Sequence, residues 1–167
     1  MAVYNTAEVS GSQGRPFLNK AVRTIRCIAA DKMKSKKGND MIVFKYEIVS
    51  PESENNVRVA GLQLTDYIVL GSTSSIPLER LGALTKIVKG NPMVDIDNPA
   101  VLRSNYVGKA VRAEVKTEAV VLKQVDEDGI EQPVMDDNGN PVTDNNYRLG
   151  RFIGADDKYT IPADSIV

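Results

Sequence analysis

Apolar and polar residues alternate in several short runs of this chain. The clearest is Met41–Val49, where Ile42, Phe44, Tyr46 and Ile48 share one face and Val43, Lys45 and Glu47 the other. A period of two marks a strand with one face in a core. A second β-branched run, Val22–Ala30, precedes it, and the polar stretch between them, Asp31–Asp40, contains Gly38 and Asn39. Two such runs joined by Gly and Asn predict a hairpin, with strands over Lys20–Ala30 and Met41–Val49. After a turn at Ser50–Asn56, a third strand is expected over Val57–Leu64, continuing irregularly through Tyr67–Leu70. Alternation returns at Ala110–Glu118, with Val111, Ala113, Val115 and Thr117 facing one way and Arg112, Glu114, Lys116 and Glu118 the other. Residues 119–134 prolong that strand and turn at Asp128-Gly129. A further turn falls at Asp136–Pro141, where Asn138-Gly139 favours a hairpin, and a last strand spans Tyr147–Ile153.

The helical period occurs between the third and fourth strands. Leu78, Leu81, Leu84 and Val88 form one apolar stripe, with Pro77 in the first turn, Glu79 near the positive end of the dipole, and Lys86 and Lys89 near the other. Gly90-Asn91-Pro92 ends it. A second short helix is predicted over Pro99–Ser104, capped by Asp97 or Asn98. The order strand, strand, strand, helix, strand, strand predicts a mainly β fold: a five-stranded OB-fold-like barrel with one helix between strands three and four, plus an acidic hairpin excursion. Residues 1–19 read as a loose arm or a first short strand, 20–155 as the OB-fold domain with its excursion over 124–146, and 156–167 as a tail.

Composition narrows the chemistry. The chain has 167 residues, enough for one hydrophobic core. It has no apolar run near the roughly 20 residues of a membrane span, and its first residues, MAVYNTAEVSGSQGRP, lack a signal-peptide layout. A cytoplasmic protein that does not engage a membrane is expected. Cys27, the single cysteine, lies in an apolar strand and reads as a small core residue. With no histidine in the chain, Ser-His-Asp and Cys-His catalysis and the usual His-bearing zinc sites are excluded. No GxxxxGK[ST] or GxGxxG occurs, so nucleotide hydrolysis has no support. No cofactor, catalytic residue or metal site is expected.

Charge is segregated beneath a net of −1. Residues 1–50 hold nine Lys/Arg against four acids, a net of +5, whereas 124–146 hold seven acids and no base, a net of −7. The acids resemble a calcium loop only superficially: counted from Asp136, Gly139 falls at the fourth position and Tyr147 at the twelfth, where an EF-hand needs glycine at the sixth and glutamate at the twelfth. Hairpin turns with solvated acids explain Asp126-Glu127-Asp128 and Asp136-Asp137 more simply than a metal-dependent nuclease pair. The basic and aromatic residues are the remaining candidates. Lys34, Lys36 and Lys37 lie in the first hairpin connection, Arg23, Arg26 and Lys45 on its strands, Arg112 and Lys116 on one face of strand four, and Arg148 and Arg151 about the last strand. A single-strand binder needs cations for phosphates and rings for bases. Tyr46, Tyr67 and Phe152 are the candidate rings, although Tyr46 shares the internal face of its strand.

Cys27–Ile48 with its KSKKGNDM loop, GLQLTDYIVL from Gly61, the helix LERLGALTKIVKG and YVGKAVRAEV at Tyr106–Val115 together resemble phage-encoded OB-fold single-stranded-DNA-binding proteins. Gly108-Lys109 fits the GK that opens strand four in that family, and Tyr147–Phe152 is similar to its last strand. The resemblance covers roughly residues 20–155. It implies coating of single-stranded DNA during phage replication or recombination, without catalysis and with little sequence preference, and phage or host replication and recombination proteins as further partners. Such proteins often end in an acidic tail; here Tyr159–Val167 is nearly neutral and the acids are internal. The alternative is a non-catalytic protein-interaction or structural module, a virion component or inhibitor of a host factor, using the acidic 126–144 surface.

Overall fold

The computed structural model describes residues 15–71 and 73–154; the arm before Arg15 and the tail 156–167 lie outside the described residues. Backbone proximity divides the chain into two compact units, Asn19–Lys116 with Arg148–Val167, and Met1–Leu18 with Thr117–Tyr147. The fold is mainly β, built on a five-stranded antiparallel sheet. Its strands are β1 (Ala21–Lys34), β2 (Asp40–Ser50), β5 (Gln63–Val69), β6 (Ala110–Val121) and β9 (Thr143–Ile153), in the order β5-β2-β1-β6-β9. The short pairs β3 (Ser53–Glu54) with β4 (Val57–Arg58) and β7 (Lys123–Val125) with β8 (Glu131–Pro133) form separate hairpins.

In the larger unit, the inward face predicted for β2 is present: Ile42, Phe44, Tyr46 and Ile48 are all buried, although Val43 on the other face is buried as well. Cross-strand pairing puts Leu64 and Ile68 of β5 on the same side, opposite Tyr46 and Ile42. Ile25 and Cys27 of β1 and Val111, Ala113 and Val115 of β6 extend the buried surface. Each large aliphatic or aromatic side chain among them contributes about 1.5–3 kcal/mol on leaving water. Two bulges interrupt the β1–β2 ladder, between Thr24 and Ile25 and between Cys27 and Ala29. Bulges bend and twist the strands that carry them.

Two helices connect β5 to β6: α1 (Ile76–Lys89) and α2 (Pro99–Tyr106). The N-terminus of α2 is capped by Asn98, whose Oδ1 accepts from the backbone N–H of Ala100 and Val101. Asp97, the other candidate cap, pairs with Lys32 instead. Of the expected stripe on α1, Leu81 and Leu84 are buried, but Leu78 is exposed. It sits in the first turn, ahead of the stretch that covers the sheet. A buried hydroxyl pair, Thr85 with Tyr106 at 2.6 Å, joins α1 to α2, and the Tyr106 ring meets Phe44 edge-on with centroids 5.0 Å apart.

Three sequence expectations are corrected here. Strand three begins at Gln63 rather than Val57, because Val57 and Arg58 are used in the β3–β4 hairpin. The first hairpin extends to Lys34 and Asp40, so its tip is only Ser35–Asn39. Finally, the sheet is not closed into a barrel: among the described residues no backbone ladder joins β5 to β9. A side chain stands at that seam. Arg80 of α1 pairs with Asp66 of β5 at 2.8 Å, and its guanidinium lies 5.3 Å from the centroid of Phe152 on β9.

The core keeps Cys27 chemically quiet. Burial is the main cause that pushes its thiol up to about 11, with Asp31 adding to it against the opposing hydrogen bond to the Ala29 carbonyl. The Tyr46 hydroxyl is also raised, by burial first and then by the Asp66 carboxylate.

In the smaller unit the acidic excursion is a ladder of short strands. β7 pairs with β8, the Val134 N–H donates to the Leu122 carbonyl, and the Val142 N–H donates to the Val134 carbonyl. Both predicted turns are present. Asp126 Oδ1 accepts from the backbones of Asp128 and Ile130, on either side of Gly129, and Asp136 Oδ1 accepts from Asn138 and Asn140, on either side of Gly139. Gly129 and Gly139 take φ of 77° and 80°, the left-handed region that a glycine enters without steric cost. These two aspartates therefore build turns, and no cluster of three or more potential metal ligands occurs among the described residues.

Candidate nucleic-acid interface

The face of the larger unit opposite the core follows from the pairing register. On β2, Val43, Lys45 and Glu47 point away from Phe44 and Tyr46. Across the ladder they meet Tyr67, Thr65 and Gln63 of β5. On the other side they meet Asp31, Ala29 and Arg26 of β1. The same face continues through Thr24 to Arg112 and through Val22 to Glu114 of β6. Lys116 is the next outward position on β6 and is exposed. This face carries the ring of Tyr67, 61% exposed.

The outward row at Val43 and Tyr67 leads to Met41 and Val69, and there the sheet ends at the hairpin tip. A cleft of about 470 Å³ lies at that end, lined by Lys36, Lys37, Asn39, Val69 and Thr73 among others. The tip is fastened by its own hydrogen bonds: Ser35 N–H to Asn39 carbonyl at 2.8 Å, Gly38 N–H to Ser35 carbonyl at 2.9 Å, and Asn39 N–H to Ser35 Oγ at 3.1 Å. Gly38, at φ 85°, allows the chain to reverse there. Two lysines are thus displayed at the mouth of a cleft on a turn with satisfied backbone groups.

The predicted cations divide by their partners. Lys36, Lys37, Lys45 and Lys116 are exposed, with no carboxylate within ion-pair distance among the described residues. Lys34 pairs with Asp40 at 2.6 Å and Arg26 with Glu47 across the β1–β2 ladder. Lys34 also holds Asp40 below the usual carboxylate range, hydrogen bonding being the first cause. Arg112 is half-buried and donates to the Gly154 carbonyl at 2.8 Å. Arg148 and Arg151 occupy exposed positions on β9, and the Arg151 backbone donates to Glu114 Oε1 at 3.0 Å.

Three expected contacts are corrected. Arg23 is 2% exposed. Its parity places it with Ile25 and Cys27, and its guanidinium is spent on Glu54, which accepts from Nε and Nη2 at 2.6 Å each, and on the Val115 carbonyl at 2.8 Å. It fastens the β3–β4 hairpin to the sheet and is not available to a phosphate. Tyr46 and Phe152 are buried, Tyr46 beneath the sheet and Phe152 under Arg80, so neither offers a face to a base. Tyr67 is the one proposed ring that is presented. Phe17, in the smaller unit, is the only other exposed ring among the described residues and is not among the sequence candidates. Its polar, aperiodic surroundings carry no strand signal.

Charge partitions with the units. Among described residues the larger unit has eighteen Lys/Arg against ten Asp/Glu, a net of +8, and the smaller has two against eight, a net of −6. Local field governs encounter with a polyanion, so the net charge of the whole chain understates the attraction of the larger unit. No protein-family model matches the chain, and a search of curated proteins returned no match.

Proposed function

We propose that the larger unit binds single-stranded DNA across the outward face of β2 and β5 and into the hairpin-tip cleft, with little sequence preference and without catalysis. The observation that carries this reading is the exposed ring of Tyr67 on the face that also bears Lys45, continuous with the cleft bearing Lys36 and Lys37. Cations that follow a backbone and a ring that accepts any base are the needs of a sequence-tolerant single-strand binder. The strand order also supports an OB-type assignment. Numbering only the long strands, it runs third, second, first, fourth, fifth, with the helices between third and fourth. The OB-fold is a partly open five-stranded barrel that binds oligonucleotides on strands two and three and the loop between strands one and two. A role in phage replication or recombination in the host cytoplasm rests on the sequence resemblance. No helix among the described residues is long and apolar enough to cross a membrane.

Tyr67→Ala tests the site. Loss of one base–aromatic stack costs about 1–3 kcal/mol, so the dissociation constant for oligothymidine should rise about fivefold or more in fluorescence anisotropy, and Tyr67→Phe should keep most of the affinity. Equal affinity for Tyr67→Ala and the parent would remove Tyr67 from the interface.

A second reading, a protein-interaction module acting through 126–144, is favoured by the exposure of Val125, Ile130 and Met135 on those hairpins. It predicts a partner whose binding ignores Lys36, Lys37 and Lys45.

A further inference from the structure

In the larger unit a groove of about 540 Å³ lies between α1 and the loop that leaves it, lined by Leu78, Glu79, Gly82, Met93, Val94 and Ile96 among others. Leu78 and Met93 are well exposed, and so is Ile76 at the start of the helix. Exposed apolar residues are ordinary singly, but a group of them around one groove marks an interaction site. Gly82 is the unusual member. A glycine inside a helix is destabilising relative to alanine. Its surroundings do not require it, since a Cβ at this position would meet no neighbouring atom within 4 Å. The space it leaves belongs to the groove and lets another segment approach α1 closely.

The described chain ends beside the same helix. The Phe152 ring lies 5.3 Å from the Arg80 guanidinium, and Arg112 donates to the Gly154 carbonyl at 2.8 Å. At about 3.6 residues per turn, Arg80 and Gly82 face opposite sides of α1. Ile76, Glu79 and Ala83 are exposed on the arc between them. Half the circumference of a helix about 10 Å across is roughly 16 Å, which about five extended residues span. The fifth residue after Gly154 is Tyr159.

The composition of the segment suits the groove. Tyr159, Ile161, Pro162, Ile166 and Val167 are apolar, and Lys158 is the single cation in 155–167. Glu79 is the one charged side chain in the lining. Its carboxylate accepts from Ser75 Oγ at 3.0 Å, and no Lys or Arg lies within ion-pair distance of it among the described residues. We propose that residues 158–167 dock in this groove of their own chain, with Tyr159 and Ile161 against Leu78, Gly82 and Met93 and with Lys158 beside Glu79. This docking is independent of what the face of β2 and β5 binds.

The chain has no tryptophan, so Tyr159→Trp in the full chain introduces one indole that reports on its own surroundings. Its emission is compared with that of a synthetic peptide of residues 155–167 carrying the same substitution. The expected result is emission at shorter wavelength in the protein than in the peptide, unchanged on dilution. Adding Gly82→Leu, which fills the groove, should return the emission to the wavelength of the free peptide. Leucine is a good helix former, and circular dichroism checks that this variant is folded. Should it not fold, Met93→Glu on the exposed loop gives the same test. Emission equal to that of the peptide would overturn the proposal. A short-wavelength emission that neither groove variant alters would overturn it too, because the segment would then be seated elsewhere. A shift that fades on dilution would assign the groove to a second copy, and one reversed by oligothymidine would place the segment on the face of β2 and β5; either result contradicts the proposal.

Discussion

Reversing Lys36, Lys37 and Lys45 together to glutamate is expected to weaken oligothymidine binding by roughly a hundredfold or more at low salt. That figure takes about 1 kcal/mol for each lost charge-assisted contact, and repulsion from the new carboxylates adds to it. The slope of log affinity against log salt should fall by about 2, since each phosphate contact on a single strand contributes about 0.7. These lysines are chosen because no intramolecular carboxylate neutralises them among the described residues. Lys34 and Arg26 already have partners in Asp40 and Glu47, so a phosphate must displace a carboxylate to reach them. Lys34→Ala should therefore weaken binding less than Lys36→Ala. Anisotropy titrations at several salt concentrations check both statements. An unchanged slope in the triple variant would move the phosphate path away from the hairpin tip and β2.

Arg23→Ala should act on folding. Arg23 is 2% exposed and holds Glu54 through two hydrogen bonds of 2.6 Å. Removing one partner of a buried pair costs about 3–5 kcal/mol. The Glu54 side chain keeps 27% exposure, so water can partly rehydrate the carboxylate left behind, and the lower end, about 3 kcal/mol, is expected. Lysine should not rescue it, because an ammonium lacks the planar fork that meets both carboxylate oxygens and the Val115 carbonyl at once. Urea unfolding measures the loss. A variant as stable as the parent would contradict the placement of Arg23 inside the sheet.

That contrast shows where the sequence is legible. The period-two pattern of β2 and β6 predicts the inward row of buried side chains, because alternation follows burial in a one-sided sheet, and it misses only Val43 on the other face of β2, which is buried too. The same parity already carries the signal for Tyr46 and Arg23: one shares a face with Phe44, the other with Ile25. The partner that makes a buried arginine tolerable is not legible, since Glu54 is 31 residues away and belongs to a hairpin formed by Asn55 and Asn56 at positive φ. Phe152 escapes for a different reason. Phe152 and Ile153 are consecutive and both buried, so alternation fails at the end of β9. The neutralisation of Lys34 and Arg26 is a matter of cross-strand register, set for Lys34 by the hairpin turn beside it and for Arg26 by the bulge between Cys27 and Ala29, which no local pattern announces. Charge segregation is visible from composition, but its coincidence with two compact units is a property of the fold.

The central claim is that the outward face of β2 and β5 and the hairpin tip engage single-stranded DNA. The most direct measurement is fluorescence anisotropy of the parent protein with labelled oligothymidine and with a duplex of equal length, across a salt series. The account predicts binding to the single strand that weakens steeply with salt and exceeds binding to the duplex, because paired bases cannot stack on Tyr67. Equal binding to both, or no binding at low salt, would contradict it.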